Sequence, residues 1–427
     1  MDDYAGSFDP HFHLGLLSRK ALATVGREYM LFGHLIDRAG LPQVLARFGA
    51  EAMQQVAIEE WMGASPVYTR RMQRSFRFEG DDVGTIMKGL QLDVGFPHQY
   101  MDVGYRLEDA RRGTFWLNSC GALIDVEPMG EKMVISMCHH IEDPTFDATA
   151  VATNPRARVR PIHRPPRVPA DRLPHCQWEI TIDPALEPVR EIALTGRVRS
   201  SRLARLPLAA GSEAASPGDG LPDYAGDFDP DFQLEDLSHG ALVRACREFL
   251  VEVHLLIRSL MTTVADRGGQ DVAREIATAQ WIGSGHVGAA RLRQAMRIAG
   301  DDAAAIVKVL QLHPAFPPRE YAHTGFDVLD DRRGRFWIAD CDALAEEEPY
   351  GWLPLLGPGP HPALDAMVEA VNPRARCLPT TPPTGARQAW EVVVDPAATP
   401  AAERPEVALT RLSGAAAFRF VPRRALA

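Results

Sequence analysis

The chain has 427 residues, 46% of them hydrophobic and 24% charged, with a net charge of −10 at pH 7. That acidity excludes a general nucleic-acid binder, which carries a basic surplus, and no stretch approaches the ~18 apolar residues of a membrane-spanning helix. Six scattered cysteines, at 120, 138, 176, 246, 341 and 377, are too sparse for a disulfide framework. With the acidic start Met1-Asp2-Asp3-Tyr4 they point to reduced thiols in the cytoplasm and no secretory leader.

The first segment, Asp3-Tyr-Ala-Gly-Ser-Phe-Asp-Pro10, returns at 223–230 with one change, which marks a tandem duplication. Ser18 stands where a helix N-cap belongs and has Ser238 as its counterpart. Helices are expected near 18–38, 42–62, 65–78 and 81–92, the last opened by Asp81-Asp82 at its positive end. After Phe96-Pro97 the period shifts toward two. Strands are expected near 100–108 and 113–119, turning through Arg111-Arg112-Gly113. A short helix over 130–141 and strands over 156–163 and 176–182 complete the copy, and the five prolines between 161 and 174 mark an extended loop.

Residues 196–222, rich in Arg, Ala, Gly, Ser and Pro, read as a linker. The second copy then repeats the plan. Its matches include His254 for His34, Trp281 for Trp61, Asp301-Asp302 for Asp81-Asp82, and Phe336-Trp337 for Phe115-Trp116. The expected fold is α+β, a tandem duplication in which each copy sets a helical layer on a small antiparallel sheet. Residues 1–195 form the functional copy, 223–427 a degenerate structural copy, and the two pair within the chain.

The copies differ most in chemistry. The first holds Cys138-His139-His140-Ile141-Glu142-Asp143, then His163, then His175-Cys176. The second reads Gly357-Pro358-Gly359-Pro360, Thr381 and Arg387-Gln388 at those places, with His361 opposite Asp143. If 130–143 is helical, Cys138 and Glu142 share a face, as do His139 and Asp143. Alternation puts Cys176 and Trp178 on the core side of the last strand and His175 on the other. Cys120, Cys138 and Cys176 can then converge between sheet and helix, with His139 or His140 and His163 nearby.

That donor set suits zinc or iron, with a carboxylate as further ligand or base. Without metal, Cys138 or Cys176 could be a nucleophile with a histidine base. The plainer alternative makes the cysteines small buried hydrophobes. Arg160, Arg164 and Arg167, absent from the second copy, form a positive patch fit to anchor a small anionic molecule, or else simply pair with nearby acids.

Phe115-Trp116-Leu117, Cys120, Cys138, Asp143 and the strand His175-Cys176-Gln177-Trp178 resemble the pattern of the L-2-amino-thiazoline-4-carboxylic acid hydrolase-like proteins. They are also similar to the small-ligand domains of the vinyl-reductase type. The resemblance spans roughly residues 100–182. It implies hydrolysis of a small heterocyclic amide-like substrate in one branch and ligand sensing in the other. The duplication and the Pro/Arg/His stretch 161–175 depart from it.

Together these readings give an enzyme with one site in the first copy, hydrolysing a small anionic substrate or performing a related addition–elimination. Glu142, Asp143 and Cys138 do the chemistry. Arg160, Arg164 and Arg167 hold the substrate, and Cys138, His139, His140, His163, His175 and Cys176 are the metal ligands. The alternatives are a non-catalytic sensor module and a structural pseudo-dimer.

Overall fold

The computed structural model describes residues 1–209, 219–316 and 318–423. Helix α1 (Arg19–Phe48) is capped by Ser18, whose hydroxyl accepts from the Ala21 amide, and α2 (Ala50–Phe76) follows after one residue. The breaks expected near 40 and 64 do not occur. Pro42 and Pro66 lie inside the helices, where each removes one backbone bond while buried neighbours on both sides hold the helix straight enough to continue. The chain breaks instead at Gly49, whose φ of +85° a side-chain-bearing residue would resist.

Helix α3 (Val83–Gln91) starts where Asp82 accepts from the Thr85 amide. Strands β1 (Met101–Asp109) and β2 (Arg112–Cys120) form the expected hairpin. The segment expected as one short helix is longer and interrupted. After α4 (Gly121–Val126) come α5 (Glu131–Ile135), a π-helical turn over Ser136–Ile141 and α6 (Glu142–Val151). Pro144 lies inside this continuous helical run, three residues after the π-helical turn, which widens the helix just before it.

Strands β3 (Ala157–His163) and β4 (Cys176–Ile182) close a four-stranded antiparallel sheet of order β1-β2-β4-β3. Cys176, Trp178, Ile180 and Ile182 are the buried side of β4, as alternation requires. The stretch 196–222 begins inside α7 (Ala193–Ser200), which Thr195 ties to α2 through the Met62 carbonyl. Val198, Leu203 and Leu206 are buried, an apolar set masked in the sequence by four arginines; residues 210–218 lie outside the described ones.

The second copy repeats the order. Helix α8 (His239–Ala295) bends at Gly269, the counterpart of Gly49, and α9 (Ala303–Leu312) is capped by Asp302. Short α10 (Arg319–Ala322) leads into β5 (Thr324–Val328) and β6 (Arg333–Ala339). Then come α11 (Trp352–Leu356), α12 (Pro362–Glu369), β7 (Ala375–Pro379) and β8 (Ala386–Val394), giving a sheet of order β5-β6-β8-β7. Helices α13 (Pro405–Thr410) and α14 (Gly414–Ala417) are the last regular elements among the described residues. The architecture is α+β with two sheet-bearing copies. No helix among the described residues is long and apolar enough to cross a membrane.

The best-kept repeat is an exchanged arm. Tyr4 hydrogen-bonds Gln311 at 2.7 Å, and Lys308 donates to the carbonyls of Tyr4 and Gly6 at 3.0 and 2.8 Å. Reciprocally, Tyr224 bonds Gln91 at 2.8 Å and Lys88 donates to the carbonyls of Tyr224 and Gly226. Each lysine also lies over the tyrosine ring it serves, 4.8 and 5.2 Å from the centroid. With α1 packed along α8, apolar residues of both copies join in one core.

Candidate functional site

The residues singled out in the sequence do not meet as one centre. Cys120, Cys138 and Cys176 do gather beneath the π-helical turn, 4%, 2% and 6% exposed. Burial raises the Cys120 thiol to about 12, and burial followed by the Glu142 charge raises Cys138 and Cys176 further. These thiols keep their protons at neutral pH, and a protonated thiol is a poor nucleophile and metal ligand. Cys120 Sγ serves as a helix cap, accepting from the Leu123 amide at 3.4 Å.

The histidines point elsewhere. His139 Nε2 lies 2.7 Å from the Pro165 carbonyl, His140 is exposed, and His163 sits at the end of β3. His175 accepts from the Cys120 amide through Nδ1 at 3.1 Å, which makes its tautomer a structural one. Among the described residues no group of three or more His, Cys, Asp or Glu side chains could hold a metal ion. The six-residue donor set therefore does not fit zinc or iron. His139 and His175 already face backbone groups, and the cysteines lie where burial disfavours thiolate.

The arginines are also engaged. Arg160 binds Asp147 at 2.8 Å, Arg164 binds Asp143, and Arg167 holds both Glu127 oxygens at 2.8 Å. Asp143 thereby becomes an ion-pair partner, and no guanidinium of this trio is left unpaired for a substrate. A β-strand puts every second side chain on one face, but that rule does not reveal that acids of α6 and of the turn after α4 lie across from it.

What the structure opens in the first copy is a cavity of ≈ 140 Å³ on the other side of Glu142. Helix α1 supplies His34, Asp37 and Arg38 to it, α2 supplies Trp61, and the turn after α3 supplies Asp93, Gly95 and Phe96. The π-helical turn and α6 close it with Met137, Ile141, Glu142, Thr145 and Phe146. Phe146 is anchored from behind by Trp178, Phe115 and Phe96, with ring centroids 4.8, 5.5 and 5.8 Å away. The widened π turn displaces Glu142 from simple α-helical register, a local irregularity common at functional sites.

Three carboxyls on this wall hold protons unusually well. Burial raises Glu142 to about 8, against the pull of Arg164. Burial raises Asp37 to about 6, although Arg38 and the Trp61 indole N–H, 3.2 Å from Oδ2, favour its charged form. Glu60 behind it is fully buried, and neither of its oxygens has a hydrogen-bond partner. It is raised well above the ordinary range by burial and then by Asp37, so Glu60 keeps the proton of the pair. Asp93 also reaches about 6 through burial, while accepting from the Gly95 amide at 2.7 Å and from Tyr68.

Two further groups fix this wall. Burial first, then Arg38, lowers His34 to about 4, so its neutral ring bonds the Gly95 carbonyl at 3.0 Å. Glu252 reaches across from the second copy to accept from the Val94 amide at 3.1 Å.

The second copy has lost this arrangement. Ile257, Gln280 and His313 occupy the places of Asp37, Glu60 and Asp93. Trp352 of α11 stacks on Trp281 at 4.7 Å, and Phe32 from the first copy packs against the same indole at 5.6 Å. Trp281 and Trp352 are 0% and 1% exposed, whereas Trp61 is half-buried beside its cavity. Loss of an acid at three matched positions of the duplicated chain was the available sequence signal. The cysteine and histidine contrast, chemically louder in the sequence, points to the other side of α6. Comparison with protein-family models, curated proteins and solved structures gives no match.

Proposed function

We propose that the protein is a cytoplasmic small-molecule enzyme whose one working site is the first copy's cavity, using carboxyl groups for acid–base hydrolysis or a related addition–elimination. The observation that carries this reading is the pairing of differently tuned carboxyls on one cavity wall, matched by their removal and an aromatic filling in the second copy. At pH 7 Glu142 retains its proton and Asp37 is mostly ionised, given values of about 8 and about 6. Two carboxyls separated in this way can serve as general acid and general base at one pH. Asp37 would take a proton from an attacking water, and Glu142 would give one to the leaving nitrogen or oxygen as its bond to carbon breaks. All six cysteines are free, which supports a reducing compartment.

The lining sets three carboxyls against one guanidinium, and Arg38 is itself bound to Asp125 at 3.1 Å. An uncharged or amine-bearing molecule suits such a wall better than an anion does. Hydrolysis also agrees in reaction type with the resemblance to the L-2-amino-thiazoline-4-carboxylic acid hydrolase-like proteins. The second copy acts as a paired scaffold that supplies Glu252.

The test is a turnover screen by NMR over small cyclic amides and amidines. The wild type and Cys138→Ala should hydrolyse the same compounds, and Asp37→Asn and Glu142→Gln should not. Binding without turnover would establish the sensor alternative instead. Turnover that survives both carboxyl changes would refute the site.

A further inference from the structure

The copies differ again where each arm crosses the other copy. Both arms form a short 3-10 turn, Leu14–Leu16 and Leu234–Asp236, over an arginine of the opposite long helix. Beneath the second arm, Glu235 forms an ion pair with Arg27, and both are under 9% exposed. Phe420 closes that cleft, leaving only ≈ 20 Å³. Beneath the first arm the equivalent arginine is Arg247, and Gly15 stands where Glu235 stands. There the cleft keeps ≈ 180 Å³, walled by Phe12, Leu14 and Leu250, with Arg247 and Arg319 on its rim. Arg319 occupies the place of Gln99, which in the other cleft accepts from the Val421 amide of the C-terminal segment at 2.9 Å.

Both guanidiniums have N–H groups still to give. Arg247 uses Nη2 on the Pro207 carbonyl at 2.7 Å and Nη1 on Glu248 at 3.2 Å. Its Nε has no hydrogen bond and lies 3.5 Å from Glu320, a carboxylate 59% exposed. Glu248 is shared, since Arg71 holds it through two 3.0 Å bonds. Arg319 Nη2 is buried and without a partner.

We propose that this cleft binds a small monocarboxylate with an apolar body, its carboxylate taking the position that Glu235 fills in the other copy. Guanidinium forks match a carboxylate, and the phenyl and leucyl walls favour an acid with an apolar body over a bare inorganic anion. An apolar cavity of about 150 Å³ holds benzene, so this cleft has room for an acid the size of benzoate.

Calorimetric titration of the full chain with benzoate, against benzamide as the uncharged match, tests the proposal. Benzoate should bind saturably and benzamide should not. Gly15→Glu supplies an internal carboxylate, and its Cβ would meet only the His13 ring at 3.0 Å, a side chain able to move aside. That variant, and separately Arg319→Gln, should weaken benzoate by about tenfold or more, the loss expected when a charge-assisted bond goes. Asp37→Ile changes the first copy's cavity and should leave benzoate affinity unaltered. No binding to the wild type, loss of binding in Asp37→Ile, or binding that neither cleft variant changes by more than about twofold would overturn the proposal.

Discussion

Replacing Asp37 and Glu60 by their second-copy residues, Asp37→Ile with Glu60→Gln, should stabilise the protein while ending its activity. Asp37 is 8% exposed and Glu60 0%. With the Asp37 carboxyl moved from 3.8 to about 6, its ionised form costs the fold about 3 kcal/mol, at about 1.4 kcal/mol per pH unit. Below pH ~4 both folded and unfolded chains hold the proton, and the group costs nothing. As the pH rises through this window the unfolded chain releases its proton first, so stability falls, and the full loss is present above pH ~6. Glu60 shifts in the same direction. The variant gives up the Trp61 bond to Asp37, about 1 kcal/mol, which leaves a net gain of about 2 kcal/mol near pH 7.5. Reversible urea unfolding at pH 5 and 7.5 measures it, and the gain should shrink by more than ~1 kcal/mol at the lower pH. A variant less stable than wild type at pH 7.5, or a difference equal at both pH values, would refute the claim that these acids are held against the interest of the fold.

Turnover should follow a bell in pH, rising through about 6 as Asp37 ionises and falling through about 8 as Glu142 loses its proton; a rate still climbing above pH 9 would reject Glu142 as the acid. Trp352→Ala should empty the filled place of the second copy and lower stability by about 3–5 kcal/mol, with first-copy turnover retained; calorimetric melting and activity on one preparation check both. The buried thiols at 120, 138 and 176 should resist iodoacetamide in the folded protein and react once it unfolds, as read by mass spectrometry. Fast native labelling of Cys138 would return the cysteine mechanism to consideration.

The elements readable in the sequence were those set by local chemistry. Ser18 and Asp82 announce helix starts because their oxygens accept the amides that helices leave free. Strand β4 shows itself through strict alternation that survives in the structure. The boundaries that failed were at Pro42 and Pro66, where a residue that breaks isolated helices is overruled by packing. The site was less legible for a related reason. Cysteine and histidine signal chemistry by type, yet here the cysteines are packed thiols and His139 and His175 face backbone groups. Asp37, Glu60 and Asp93 look like ordinary polar positions until the fold buries them, and the raised values follow from that burial. The arginines of β3 and the following loop pair with acids of α6 and of the turn after α4, 13 to 40 residues away.

Fusion of the two copies explains how these asymmetries can coexist. In an assembly of two identical chains, an aromatic plug such as Trp352 or an internal anion such as Glu235 would close both equivalent places together. Within one chain each place is free to change alone. The copies nevertheless cannot be treated as an active half and an inert one, because each cavity borrows from its neighbour. Glu252 of the second copy holds the backbone of the turn that carries Asp93, and Phe32 of the first fills space against Trp281. Gln280, standing where Glu60 stands, spends its amide on the Ile36 carbonyl of α1, one residue before Asp37. The exchanged arms make this dependence reciprocal, since each lies on the helix that leads into the other copy's site turn. Residues of the second copy thus brace the first, and that bracing helps a cluster of buried carboxyls to persist beside an open cavity.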